Sequence, residues 1–198
     1  MKDFQHFVNY YDKPGSIVLL EGKRTVLDAD KPKIIKLSQL LSSKTKHITF
    51  RSGNASGADN YFSKGFSGVN AKRFEVVVPY SGHRSYDSEG FRVINIEDIP
   101  LTNDSPLVVQ SKVNRRNLRI FDAYVAGERN TMAYKAAYLL RDTLKVLGHP
   151  PKIPGANFAI FYDDVQNPGS GGTGHTMNVC WNNLVPFVNQ VVWFNWVK

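Results

Sequence analysis

The stretch Ser16-Ile-Val-Leu-Leu-Glu-Gly-Lys-Arg24 decides how this chain is to be read. Its apolar residues run unbroken from Ile17 to Leu20, as in a strand buried on both faces, and then give way to a charged, glycine-bearing turn. Residues 31–43 change the period: Ile34, Ile35, Leu37, Leu40 and Leu41 fall on one helical stripe. HITFRSG (47–53) returns to a strand pattern, and a helix is expected from near Ala55 through NYFSKGF (60–66). FEVVVPY (74–80) is the next strand, ending at Pro79, where a ladder donor is lost. Such alternation predicts an α/β, three-layer Rossmann-like fold around a mostly parallel central sheet.

Further along, RVINIEDI (92–99) supplies a short edge strand, and residues 106–147 read mainly as helix with an interruption at Gly127. GHPPKIPG (148–155) stops that helix. NFAIFYDD (157–164) and VPFVNQVVWF (185–194) read as buried strands separated by a glycine-rich turn and a short helix. The 198 residues fit one nucleotide-binding domain spanning 1–198, with aromatic extensions NYY (9–11) and VVWFNW (191–196). Trp193, Phe194 and Trp196 are expected to pack a terminal strand against the domain or a second copy, which makes a homo-oligomer one expected state.

Composition narrows the functional classes. Lys and Arg exceed Asp and Glu by 25 to 17, so the chain carries a formal charge of +8 and favours polyanions. A single cysteine, Cys180, forbids an internal disulfide and Cys-rich metal sites. With no apolar run of signal-peptide or membrane-span length, the expected location is the cytoplasm, with no membrane partner.

Three glycine-bearing junctions follow the expected strands: Glu21-Gly22-Lys23-Arg24, the segment 51–59 (RSGNASGAD) and the segment 168–176 (PGSGGTGHT). In a parallel sheet such junctions converge at one rim, where helix N-termini offer unpaired N–H groups to phosphate. Gly169, Ser170, Gly171, Gly172, Thr173, Gly174, His175 and Thr176 form a phosphate-cradle candidate, although the lysine of a P-loop is missing and no GxGxxG follows the first strand. In the middle junction Gly53, Asn54, Ser56 and Gly57 suit a tight turn, with Asp59 either anchoring the loop or meeting a ribose hydroxyl. Arg24 is placed to pair with phosphate or to remain a solvated cation.

Glu128, Arg129 and Asn130 precede a helix; Arg129 offers a donor fork, and Glu128 is either an acid/base group or a cap. Asp163 and Asp164 at a strand end are open to a ribose, a metal, a basic neighbour or loop anchoring, although two adjacent carboxylates do not make a metal centre. His83 and His175 belong to no HExxH pair and no triad, so no metal site is expected. Lys112, Arg115, Arg116 and Arg119 form a basic cluster that suits either solvent or nucleic acid.

These features resemble the SLOG superfamily of Rossmann-like nucleotide-binding proteins, which includes LOG (lysine-decarboxylase-like) enzymes, Smf-like DNA-processing proteins and small SGGARGAD-type proteins. The resemblance spans about Ser16 to Val192: Gly22-Lys23-Arg24 is similar to the family's Gly-Ser-Arg, and Asn54-Ala55-Ser56-Gly57-Ala58-Asp59 to its Gly-Ala-Arg-Gly-Ala-Asp signature. It implies a pocket in which Gly22, Arg24, Gly53, Gly57, Asp59, Arg129 and the 169–176 loop surround a nucleotide or phosphoribosyl ligand. Glu128-Arg129-Asn130-Thr131-Met132 and the 168–173 segment resemble the LOG branch, whose pattern PGGxGTxxE has its glutamate where this chain has Thr176. Arg129 is thus retained while the carboxylate is lost, leaving Glu128 or Asp164 as substitutes.

The expected function is binding of a small phosphorylated metabolite, with no cofactor required. A nucleotide phosphoribohydrolase, with Arg129 and Glu128 as its catalytic pair, and a single-stranded nucleic-acid binder are the alternatives.

Overall fold

A computed structural model describes residues 1, 3–85, 90–113 and 118–198. Arg115 and Arg116 of the basic cluster lie outside these residues. Helix α1 (Phe4–Tyr11) leads into strand β1 (Ile17–Gly22), followed by α2 (Lys31–Lys44), β2 (Thr49–Ser52), α3 (Ala58–Ser63), β3 (Phe74–Val78) and β4 (Arg92–Asn95). Helices α4 (Pro106–Lys112), α5 (Arg119–Val125) and α6 (Thr131–Leu147) then precede β5 (Phe158–Tyr162), α7 (Gly171–Asn182), β6 (Phe187–Asn189) and α8 (Gln190–Trp193).

The strands form one six-stranded sheet in the order β4-β3-β2-β1-β5-β6. All its pairings are parallel, among them Leu19 opposite Arg51 on one side and opposite Ala159 on the other. Period-two alternation divides β1 between two cores. Val18 and Leu20 join Ile34, Leu37, Phe62 and Trp193 on one face, while Leu19 packs with Phe161, Val179 and Cys180 on the other. Glu21, next in register on the Leu19 side, therefore enters the layer of α6 and α7. The strand order reverses between β1 and β5, so their C-terminal loops part to opposite faces and leave a crevice.

Two segments depart from the sequence reading. The run VVWF (191–194) is helical rather than a strand: β6 ends at Asn189, whose side chain accepts from the Val191 amide and caps α8. Its aromatic residues fill the first core, where Trp193 is fully buried and Trp196 lies 5.4 Å from Phe7, ring to ring. The glycine run also becomes helix from Gly171 onward, so His175 and Thr176 sit inside α7 rather than in a loop. Glycine costs about 1 kcal/mol in a helix, but a Cβ on Gly174 would overlap the Gly169 carbonyl, so close packing selects it. Among the described residues no helix is long and apolar enough to cross a membrane.

Candidate functional site at the C-terminal edge of the sheet

The junctions after β1, β2 and β5 meet around one open cleft of about 640 Å³, a volume suited to a small ligand. Gly22, Lys23 and Arg24 form one wall, Ala55 and Asp59 a second, and Asp164 with Ser170 to Thr173 a third. Helix α6 closes the cleft with Lys135, Tyr138, Arg141 and Asp142.

Close backbone contact holds the walls together. A Cβ on Gly22 would overlap the backbone of Tyr162, and one on Gly57, at φ +87°, would overlap the Arg24 carbonyl. Asp59 binds this junction from within: Oδ1 accepts from the Gly22 amide at 3.1 Å, and Oδ2 from the amides of Gly53 and Ala55 at 3.2 and 3.3 Å. Asn54, at φ +53°, donates to the carbonyls of His83 and Arg84 and holds that turn against the loop. Gly53 accepts from Arg141 Nη1 at 2.9 Å.

Beneath the cleft lies a buried cluster of charges. Lys145 Nζ donates to Glu21 Oε2 at 2.5 Å and lies 2.9 Å from Asp142 Oδ1. Arg141 also donates to Asp142 Oδ1, from Nε at 3.1 Å and Nη2 at 2.7 Å. Thr176 Oγ1 donates to Glu21 Oε1 at 2.9 Å. Burial pushes the Glu21 carboxyl up to about 7 against the pull of Lys145, and Asp142 and Asp59 add to the rise. Burial also works against an ionised Asp142, but Arg141 and Lys145 beside it hold it down at about 2. The two adjacent cations thus settle which carboxylate keeps its charge.

No family model matches the chain, and no curated protein matches it. Among solved structures, the chain is similar to DNA processing protein A from Helicobacter pylori, described for its single-stranded DNA binding mode; the match covers 91% of this chain and 67% of that one, with 12% identity and a TM-score of 0.47.

Of the residues singled out from sequence, Gly22, Arg24, Asp59, Asp164, Ser170, Gly171, Gly172 and Thr173 line the cleft. Gly53, Asn54 and Gly57 hold its second wall from behind, and Ser56 is not among the residues lining it. His175 is buried against the Thr143 hydroxyl at 3.1 Å and, with Gly169, lines a separate cavity of about 150 Å³. Glu128, Arg129 and Asn130 are not among the residues lining the cleft. Arg129 lies over the Tyr124 ring and 3.8 Å from Glu97, while Asn130 caps α6 and donates to Glu128 at 2.7 Å. Asp163 is taken up by Gln190 and the Gly169 amide, and Asp164 by Lys23 at 3.4 Å. Of the basic cluster, Lys112 is paired with Asp122 at 2.7 Å.

Sequence reasoning missed Arg141, Asp142 and Lys145, as well as the inward role of Glu21. One signal was present: Arg141 and Asp142 lie four and three positions before Lys145, about one helical turn, on a helix that also carries a stripe of Ala and Leu for the core. Among the described residues no cluster of three or more His, Cys, Asp or Glu side chains is arranged to hold a metal ion.

Proposed function

We propose that the cleft binds a small nucleotide or related phosphoribosyl metabolite, in keeping with the resemblance to SLOG proteins. The observation that carries this reading is the convergence of three glycine-bearing junctions on one cleft at the β1/β5 switch point. Phosphate would meet the Gly171–Thr173 turn, where α7 begins and its N–H groups lack helical acceptors. Arg24 and Lys135 face the same space with no carboxylate partner among the described residues, whereas Lys23 is held by Asp164. Calorimetry against AMP, ADP-ribose and cyclic AMP tests it: saturable one-to-one binding that weakens in Arg24→Ala is expected. A folded protein that binds none of them refutes the reading. Binding confined to single-stranded oligonucleotides, falling steeply with salt, would place the function with nucleic acid instead.

A second reading is supported by Glu21. Thr176 stands where the LOG pattern has its glutamate, and its hydroxyl is bonded to the Glu21 carboxylate, so a carboxyl group with a pKa of about 7 occupies that neighbourhood. A group so poised suits general acid–base work on an N-glycosidic bond, with water adding to the sugar and the base leaving with a proton. Release of free base and ribose 5-phosphate from nucleoside monophosphates, lost in Glu21→Gln, is the expected result; intact substrate after prolonged incubation refutes it.

A further inference from the structure

One atom at the floor of the cleft has no structural task. Asp142 is 2% exposed, and both Arg141 and Lys145 converge on its Oδ1. Its Oδ2 accepts no hydrogen bond among the described residues, although Asp142 lines the cleft. Oδ2 is not among the fully buried unsatisfied atoms of the described residues, so it reaches the solvent of the cleft, where water or a ligand supplies its donor. The position of Oδ2 is also defined: a Cβ placed on Gly172 would stand 3.3 Å from it. The bare Gly172 backbone therefore leaves the oxygen open beside the first turn of α7.

The charge at this point selects the chemistry of the partner. An ionised carboxylate repels phosphate and accepts hydrogen bonds only, so the ligand must bring a donor. Arg141 and Lys145 already compensate Asp142, which favours a neutral hydroxyl over another cation. In a nucleotide the sugar hydroxyls lie only a few bonds from the phosphate, and Oδ2 stands beside Gly172 in the first turn of α7.

We propose that Asp142 Oδ2 accepts the hydroxyls of a ribose, so that the ligand of this cleft is a phosphorylated ribose compound with its vicinal diol intact. This inference rests on the nucleotide-binding reading and adds the sugar specificity to it. Asp59 cannot take that task, because the amides of Gly22, Gly53 and Ala55 occupy its oxygens.

The test uses the wild-type protein with AMP, 2′-deoxy-AMP and 3′-deoxy-AMP in calorimetry. Loss of a hydrogen bond to a charged acceptor should weaken at least one deoxy ligand by about tenfold or more. Gly172→Ala supplies the protein-side arm: residue 172 lies inside α7 without a positive φ, so alanine fits the backbone while its methyl group covers Oδ2. This variant should bind AMP and the deoxy ligands with similar, weak affinity. Equal wild-type affinity for all three ligands overturns the inference and leaves the nucleotide reading standing. Full discrimination retained in Gly172→Ala overturns it as well. Failure of the folded protein to bind any of the three overturns both.

Discussion

The hydroxyl of Thr176 donates to Glu21 Oε1 at 2.9 Å, joining the end of the first strand to the second turn of α7 across 155 residues of chain. Through this bond, and through Lys145 on the other oxygen, the floor of the cleft is fixed to the helix whose first turn forms its wall. Burial of Glu21, opposed by Lys145, makes it sensitive to pH near neutrality.

Glu21 should lower stability as pH rises from about 4.5 to about 7. Over that range the folded protein holds a proton that the unfolded chain, titrating near the ordinary 4.5, has released. The full effect is on the order of 3 kcal/mol. His83 acts in the opposite sense: burial, then Arg141, Arg84 and Arg24, hold it down to about 4 from 6.5, so it adds stability as pH rises through that range. Comparing wild type with Glu21→Gln separates the two. Urea unfolding at pH 4.5 and pH 8 should show the variant gaining on wild type by a few kcal/mol at the higher pH; an equal difference at both would show that Glu21 does not titrate there.

Asp59→Ala should destabilise the fold by about 3 kcal/mol, because it strands the buried amides of Gly22 and Gly53 and the partly buried one of Ala55. It should also loosen two walls of the cleft together, so ligand affinity falls with stability. Denaturant titration gives the first quantity and calorimetry the second.

Gly57→Ala and Gly127→Ala form a matched pair. Both glycines have positive φ, +87° and +90°, but only at Gly57 does a Cβ meet another segment, the Arg24 backbone. The Gly127 variant should lose only the conformational term of about 1 kcal/mol, while the Gly57 variant loses more and displaces Arg24. Unfolding midpoints of the two proteins check the order; equal losses would show that the approach of residues 24 and 57 is not required.

Trp193→Ala should cost about 3–5 kcal/mol, since the indole is fully buried and its Nε1 donates to the Phe161 carbonyl at 2.9 Å. Thermal unfolding of the protein, with its size in solution followed alongside, is the measurement. A loss confined to oligomer formation would instead assign the aromatic C-terminus to a contact between copies.

The strands were legible because β1, β3 and β5 carry apolar runs at 17–20, 76–78 and 158–162, and the glycines at the ends of β1 and β2 marked the junctions that the fold brings together. The end of the chain was not: four apolar residues in a row carry no period that separates a strand from a helix, and the deciding cue was the capping side chain of Asn189. The GGTGHT helix was hidden for the opposite reason, since its glycines have poor helix propensity, yet the turn that begins at Gly169 packs so closely on Gly174 that only glycine fits there. The buried charges were hardest to see. Lys145 and Glu21 are 124 positions apart, and the spacing of Arg141, Asp142 and Lys145 on α6 does not reveal which distant carboxylate Lys145 meets.

Residue-resolved amide NMR during a titration with AMP tests the proposed site most directly. Binding at the cleft should shift the amides of Gly171, Gly172 and Thr173 first and most, with Gly22 to Thr25 following and the amides around Lys112 and Arg119 unmoved. Saturating shifts confined to that basic helical surface, or no shifts at millimolar AMP in a folded protein, would contradict it.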